Sequence, residues 1–65
     1  MAKIQLNGKK INISSKLSVL DVLKKYKLDK KRIAIELNGS IVSKSSYHKK
    51  ILKNDDKLEI VHFIG

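Results

Sequence analysis

Polar and apolar residues alternate from the start of the chain. Ile4 and Leu6 fall on one face, Lys3 and Gln5 on the other, which is the period of two that marks a half-buried strand. Asn7-Gly8 follows. Both residues tolerate positive φ, so the pair is a strong signal for a two-residue hairpin turn. Lys10-Ile11-Asn12-Ile13 then alternates again. The pattern predicts an antiparallel hairpin with strands over 2–7 and 9–14. After it the period changes. Ser18 is placed to cap the free amides of a first helical turn, and Asp21 occupies the acidic position of a capping box. Leu17 and Val22 are spaced for a hydrophobic staple across that cap. Val19, Leu20, Val22, Leu23 and Tyr26 make an apolar stripe at helical spacing. Lys24, Lys25 and Lys27 lie opposite it or towards the C-terminal end, where the helix dipole favours cations. A helix over 18–27 is expected.

Leu28 to Lys31 reads as a polar connection. Ile33, Ile35 and Leu37 then alternate with Ala34 and Glu36. Asn38-Gly39 predicts a second tight turn, and Ser40-Ile41-Val42 a short return strand. Residues 43–50 are mainly Ser, Lys, Tyr and His and read as a surface loop. Ile51 and Leu52 are expected to plug the open end of the core, Asn54-Asp55-Asp56 to form a turn, and Leu58 to Ile64 to form the last strand. One helix must then cover one face of one mixed sheet. The first and last strands are expected to be central and parallel, because the intervening connection is long enough for a crossover. The expected fold class is α+β, a β-grasp or ubiquitin-like domain over 1–65. Its mixed sheet of four to five strands packs on one helix in the order ββαβ(β)β. The expected core is Ile4, Leu6, Ile11, Ile13, Leu20, Leu23, Ile33, Ile35, Leu37, Leu58 and Ile60.

Composition narrows the function. The chain has 65 residues, 15 of them Lys or Arg and 6 Asp or Glu, for a net charge of +9. A domain of this size buries only roughly 60% of the surface its unfolded chain exposes. That leaves little room for a deep catalytic cleft with a core to support it, so an independent enzyme is not expected. Cysteine is absent, which excludes disulfides, thiol catalysis and cysteine-ligated zinc, and fits a reducing compartment. No apolar run approaches the roughly 20 residues that span a bilayer, and the alternating N-terminus does not resemble a signal peptide. The expected setting is the cytoplasm, away from membranes. Every basic residue except Arg32 is Lys, spread from Lys3 to Lys57. Lys is a hydrated point charge, less suited than Arg to bidentate reading of phosphates and bases. Nucleic acid is therefore not the expected partner, although basic charge alone confers salt-sensitive affinity for it. Phosphate-loop, zinc-protease and nucleophile-elbow motifs are absent. His48 and His62 have no paired carboxylates at metal-ligand spacing, and no metal site is expected. Tyr26 and Tyr47 are too few and too scattered for a base-stacking platform.

The end of the chain is the informative part. If Leu58 and Ile60 face the helix, Val61 and Phe63 face away from it, onto the open side of the sheet. An aromatic and a β-branched residue there suit a partner-binding patch, although single exposed apolar residues are also ordinary. A terminal glycine, Gly65, is slim enough to enter a narrow channel and offers a carboxylate as a reacting group.

Three stretches together resemble the sulfur-carrier proteins of thiamine biosynthesis, the ThiS family: Ile4-Gln5-Leu6-Asn7-Gly8, Ile35-Glu36-Leu37-Asn38-Gly39-Ser40-Ile41-Val42, and Asp56 through Gly65. The resemblance runs along the whole chain. It implies a carrier that binds no cofactor of its own. An E1-like adenylating enzyme of the ThiF type would use ATP to activate the C-terminal glycine carboxylate. A persulfide enzyme would supply sulfur, and the resulting thiocarboxylate would serve thiazole synthase, the ThiG type. On this resemblance Gly65 is the sulfur-carrying end, Val61, Phe63 and Ile64 form the recognition strand, and the free protein is a monomer. The family usually ends in two or three glycines, so Gly65 is expected to be the first glycine of a tail that continues further. Rival readings are a carrier for molybdopterin or another cofactor pathway, and a ubiquitin-like modifier or interaction domain.

Overall fold

The computed structural model describes residues 1–14 and 16–63. Among them the strands are β1 (Ala2–Leu6), β2 (Lys9–Ile13), β3 (Ile33–Leu37), β4 (Ser40–Val42) and β5 (Lys57–His62), with one α-helix, α1 (Val19–Lys25), between β2 and β3. They form one mixed sheet in the order β2-β1-β5-β3-β4. β5 lies at its centre, parallel to β1 and antiparallel to β3. This is the expected β-grasp arrangement. No helix among the described residues is long and apolar enough to cross a membrane.

Both Asn-Gly pairs make the turns their chemistry favours. Asn7 and Gly8 have φ of 50° and 82°, Asn38 and Gly39 of 54° and 86°, the doubly positive pattern of a type I′ hairpin. The asparagines also brace β5 from its two sides. Asn7 Oδ1 accepts from the Ile60 amide at 2.7 Å, and Asn38 Oδ1 from the Lys57 amide at 2.8 Å. β1 pairs with β5 only at Gln5↔Lys57 and Leu6↔Leu58. The Asn7 side chain therefore carries that ladder one bond further than the strand does.

The helix begins as its cap dictates. Ser18 Oγ accepts from the Asp21 amide at 3.1 Å, and the Asp21 carboxylate accepts from the Ser18 amide at 2.9 Å. The Ser18 amide and then its hydroxyl lower the Asp21 pKa, with Lys24 assisting and partial desolvation opposing. A lowered folded-state pKa stabilises above the ordinary carboxylate range, and the contribution fades as pH falls through the depressed value. Asp21→Asn should therefore lose less thermal stability than the parent between neutral and acid pH, as circular dichroism melts would record.

At its other end the helix stops at Lys25, two residues short of the expected limit, with Tyr26 as C-cap. Lys27 takes the left-handed conformation, φ 56°. Its amide donates to Lys24 O, and the Leu28 amide to Leu23 O at 2.9 Å, which closes a Schellman motif with Lys where Gly is usual. Leu28 consequently folds back against the core and is not part of a merely polar connection. Lys27→Gly should raise stability by up to about 1.5 kcal/mol in urea denaturation: the left-handed strain relieved, about 1–2, less the glycine entropy, about 0.5–1.

The core differs from expectation at several positions. Ile4, Ile13, Leu23, Ile33, Ile35, Leu37, Leu58 and Ile60 are buried, joined by Ala2, Val19, Val22, Val42, Tyr47 and Leu52. Leu6, Ile11 and Leu20 are only partly buried. A seven-residue helix is about 10 Å long, too short to cover the turn end of the first hairpin and its edge strand. Tyr26 is 44% exposed, beyond the last helical turn. The 43–50 segment is not a surface loop throughout, since Tyr47 is 2% exposed. Leu52 plugs the core, but Ile51 is turned outward at 43% exposure while its backbone bridges to Ser18. The last strand ends at His62, although the Phe63 amide still bonds Arg32 O at 2.8 Å. Ile64, placed in that strand by the sequence, lies outside the described residues.

Candidate functional site

Alternation along β5 sorts its side chains by face. Leu58 and Ile60 point into the core at 0% and 8% exposure, and Val61 and Phe63 point outward at 49% and 58%. Strand pairing then assembles the open face of the sheet. Ala34 lies opposite Val61. Glu36 lies opposite Glu59 on one side and Ile41 on the other. Gln5 lies between Lys10 and Lys57. Lys3, Gln5, Lys10 and Lys57, with Asp55, line a small hollow of ≈ 200 Å³.

The face is therefore graded. Lysines gather where β5 begins, two carboxylates sit in the middle, and exposed apolar groups lie where β5 leaves towards the C-terminus. Gly65 and Ile64 lie outside the described residues, so the members of the expected recognition strand that are described are Val61 and Phe63. His62 is exposed on β5, and His48 is exposed in the turn after Tyr47. Among the described residues no group of three or more His, Cys, Asp or Glu is placed to hold a metal ion. What this face offers is recognition: apolar area to bury and charges of both signs at fixed positions.

The Glu36–Glu59 pair was not evident from the sequence. Alternation places each on the polar side of its strand, but only the β3–β5 register brings them face to face. Like charges directly opposite each other destabilise an antiparallel pair by roughly 0.2–1 kcal/mol. Glu59→Gln should therefore stabilise the free protein by about that amount in a urea titration.

A family model and a full-length relative show the family. The model described as the ThiS family matches residues 3–65. The sulfur carrier protein ThiS of Bacillus subtilis is 38% identical over 63 residues, covering 95% of this chain and 96% of that protein. The thiazole synthase of Paramagnetospirillum magneticum is 41% identical over 63 residues, 97% of this chain but only 19% of that much longer protein. Among solved structures, the thiamine biosynthesis protein ThiS from Geobacter metallireducens superposes with a TM-score of 0.85 at 24% identity, covering 97% of this chain and 96% of that one. That likeness supports the β-grasp fold.

Proposed function

The chain belongs to the ThiS family, as a ThiS-type sulfur carrier of thiamine biosynthesis, and we propose that it carries its sulfur on the C-terminal glycine carboxylate. The observation that carries this reading is the match to a sulfur carrier along nearly the whole of both chains, with a family model that runs through Gly65. A free carboxylate is a poor acyl electrophile. Adenylation by an E1-like enzyme with ATP gives it a good leaving group. The outer sulfur of a persulfide then displaces AMP to form an acyl disulfide. A second thiol, acting as reductant, cleaves that S–S bond to release the thiocarboxylate and leave a disulfide. The reacting end supplies no catalysis of its own. The folded domain is the handle by which the partners hold it.

The graded sheet face suits that handle. Val61 and Phe63 sit just before the reacting end and are exposed, so an activating enzyme that grips them also aims the tail. Thiazole synthase is the proposed acceptor of the sulfur. Support for this partner comes from the thiazole synthases of Paramagnetospirillum magneticum and Magnetococcus marinus, each of which matches this chain over 19% of its length. A region like this domain is thus joined covalently to proteins named for that activity, where its effective concentration at the partner is high. The cytoplasm is the proposed setting, since ATP and persulfide chemistry both belong to a reducing, energised compartment.

The test is complementation. A strain lacking its own thiazole sulfur carrier, given this chain with a Gly-Gly end, should grow without added thiazole. The same chain ending at Ile64 should not support growth. Failure of the first at normal protein levels would reject the pathway assignment.

A further inference from the structure

A second surface lies along the β4 edge of the sheet, two strands away from β5. A groove of ≈ 460 Å³ runs between β4 and the 49–53 segment, lined by Ile41, Ile51, Lys49, Lys50 and Lys53 among others. β4 is an edge of the sheet. Leu37 and Ser40 flank the two-residue Asn38-Gly39 turn and form its hydrogen-bonded pair. The next pair, Glu36↔Ile41, is then a non-bonded one, which turns the Ile41 N–H and C=O outward along the open edge. The other edge, β2, carries Lys9 and Lys10, the usual protection against strand pairing. β4 instead presents Ile41, 74% exposed, and across the groove Ile51, 43% exposed. The one acidic side chain lining the groove, Asp56, is already engaged, accepting from the Lys53 amide at 2.7 Å and from Asn38 Nδ2 at 3.0 Å. Asp56 keeps its charge, but three lysines against one carboxylate leave the groove net positive towards an occupant.

We propose that this groove is a second docking site, which takes an extended acidic segment of a partner protein by strand addition to β4. Backbone groups of the segment pair with Ile41, its apolar side chains cover Ile41 and Ile51, and its carboxylates meet Lys49, Lys50 and Lys53. This is the mode in which main-chain bonds provide affinity and alternate side chains provide specificity. β3 lies between the groove's edge strand and β5, a separation of roughly 9–10 Å at about 4.8 Å per strand. A partner strand added outside β4 leaves β5 itself uncovered. The inference does not depend on the sulfur-carrier reading.

The test is an NMR titration of the ¹⁵N-labelled chain with a synthetic seven-residue peptide alternating Ile and Glu. The amides of Ile41 and of residues 49–53 should shift, and those of Val61 and His62 should not. The triple variant Lys49→Glu, Lys50→Glu, Lys53→Glu should bind at least about tenfold more weakly, as should a peptide with Lys in place of Glu. Peptides N-methylated on alternate amides, made in both frames, should lose binding in the frame that faces Ile41. No shift at Ile41 at millimolar peptide would overturn the proposal, and so would equal binding by both N-methylated peptides. Concentration-dependent broadening at Ile41 without peptide would also overturn it, by assigning the edge to a second copy of the chain.

Discussion

Replacing Tyr47 with alanine is expected to cost about 3–5 kcal/mol, the range for truncating a large buried aromatic side chain. Domains are stable by roughly 0.05–0.15 kcal/mol per residue, so the loss is comparable to the whole stability of a chain this short. Among the described residues the ring is the largest fully buried side chain. Its backbone carbonyl accepts from the Leu20 amide at 3.0 Å, and Lys50 O accepts from the Val19 amide at 2.9 Å. The segment thus satisfies free donors of the first helical turn while the ring fills the space beside it. Burial also pushes the phenol pKa up, so the neutral form is the one the core holds. Tyr47→Ala should therefore be largely unfolded in a urea titration monitored by circular dichroism. Tyr47→Phe, which keeps the volume, should lose less than about 1.5 kcal/mol. A loss below about 1 kcal/mol in the alanine variant would remove the ring from the core.

That residue also marks where sequence reasoning ran out. Tyr47 sits among Ser, Lys and His, with no periodicity to betray a buried position, and only the return of the chain under the helix start buries it. Leu28 was hidden in a similar way. A Schellman closure is legible when glycine announces it, and here Lys27 takes the left-handed position. By contrast, the two Asn-Gly turns, the Ser18–Asp21 capping box and the alternation of Ile33, Ile35 and Leu37 are local signals that agree with the tertiary fold, and each element formed where its own chemistry placed it. The site divides along the same line. Val61 and Phe63 were legible as outward-facing from alternation alone. The carboxylate pair at Glu36 and Glu59 and the groove beside β4 depend on strand order and register, which join residues distant in sequence.

Phe63→Ala is the second large effect expected, and it should fall on recognition instead of stability. The ring is 58% exposed, and surface substitutions of this kind usually change stability by about 0.5 kcal/mol or less. If the activating enzyme grips this end of β5, an aromatic anchor at the centre of the contact is worth about 2 kcal/mol or more. That corresponds to a roughly 30-fold fall in kcat/KM for adenylation. Val61→Thr, which keeps shape and strand preference, should give a smaller fall in the same direction. Pyrophosphate release during activation measures both. Unchanged kinetics would move the docking surface elsewhere, and a large loss of stability would place Phe63 in the core.

The central claim is that sulfur rides on the C-terminal glycine, and intact-protein mass spectrometry tests it most directly. The chain, given a Gly-Gly end, is incubated with an E1-like ThiF-type enzyme, ATP, a persulfide donor and a thiol reductant. The account predicts a gain equal to the exchange of one oxygen for one sulfur, confined to the C-terminal fragment and dependent on ATP. An unchanged mass with an enzyme that activates its own carrier in parallel would contradict it.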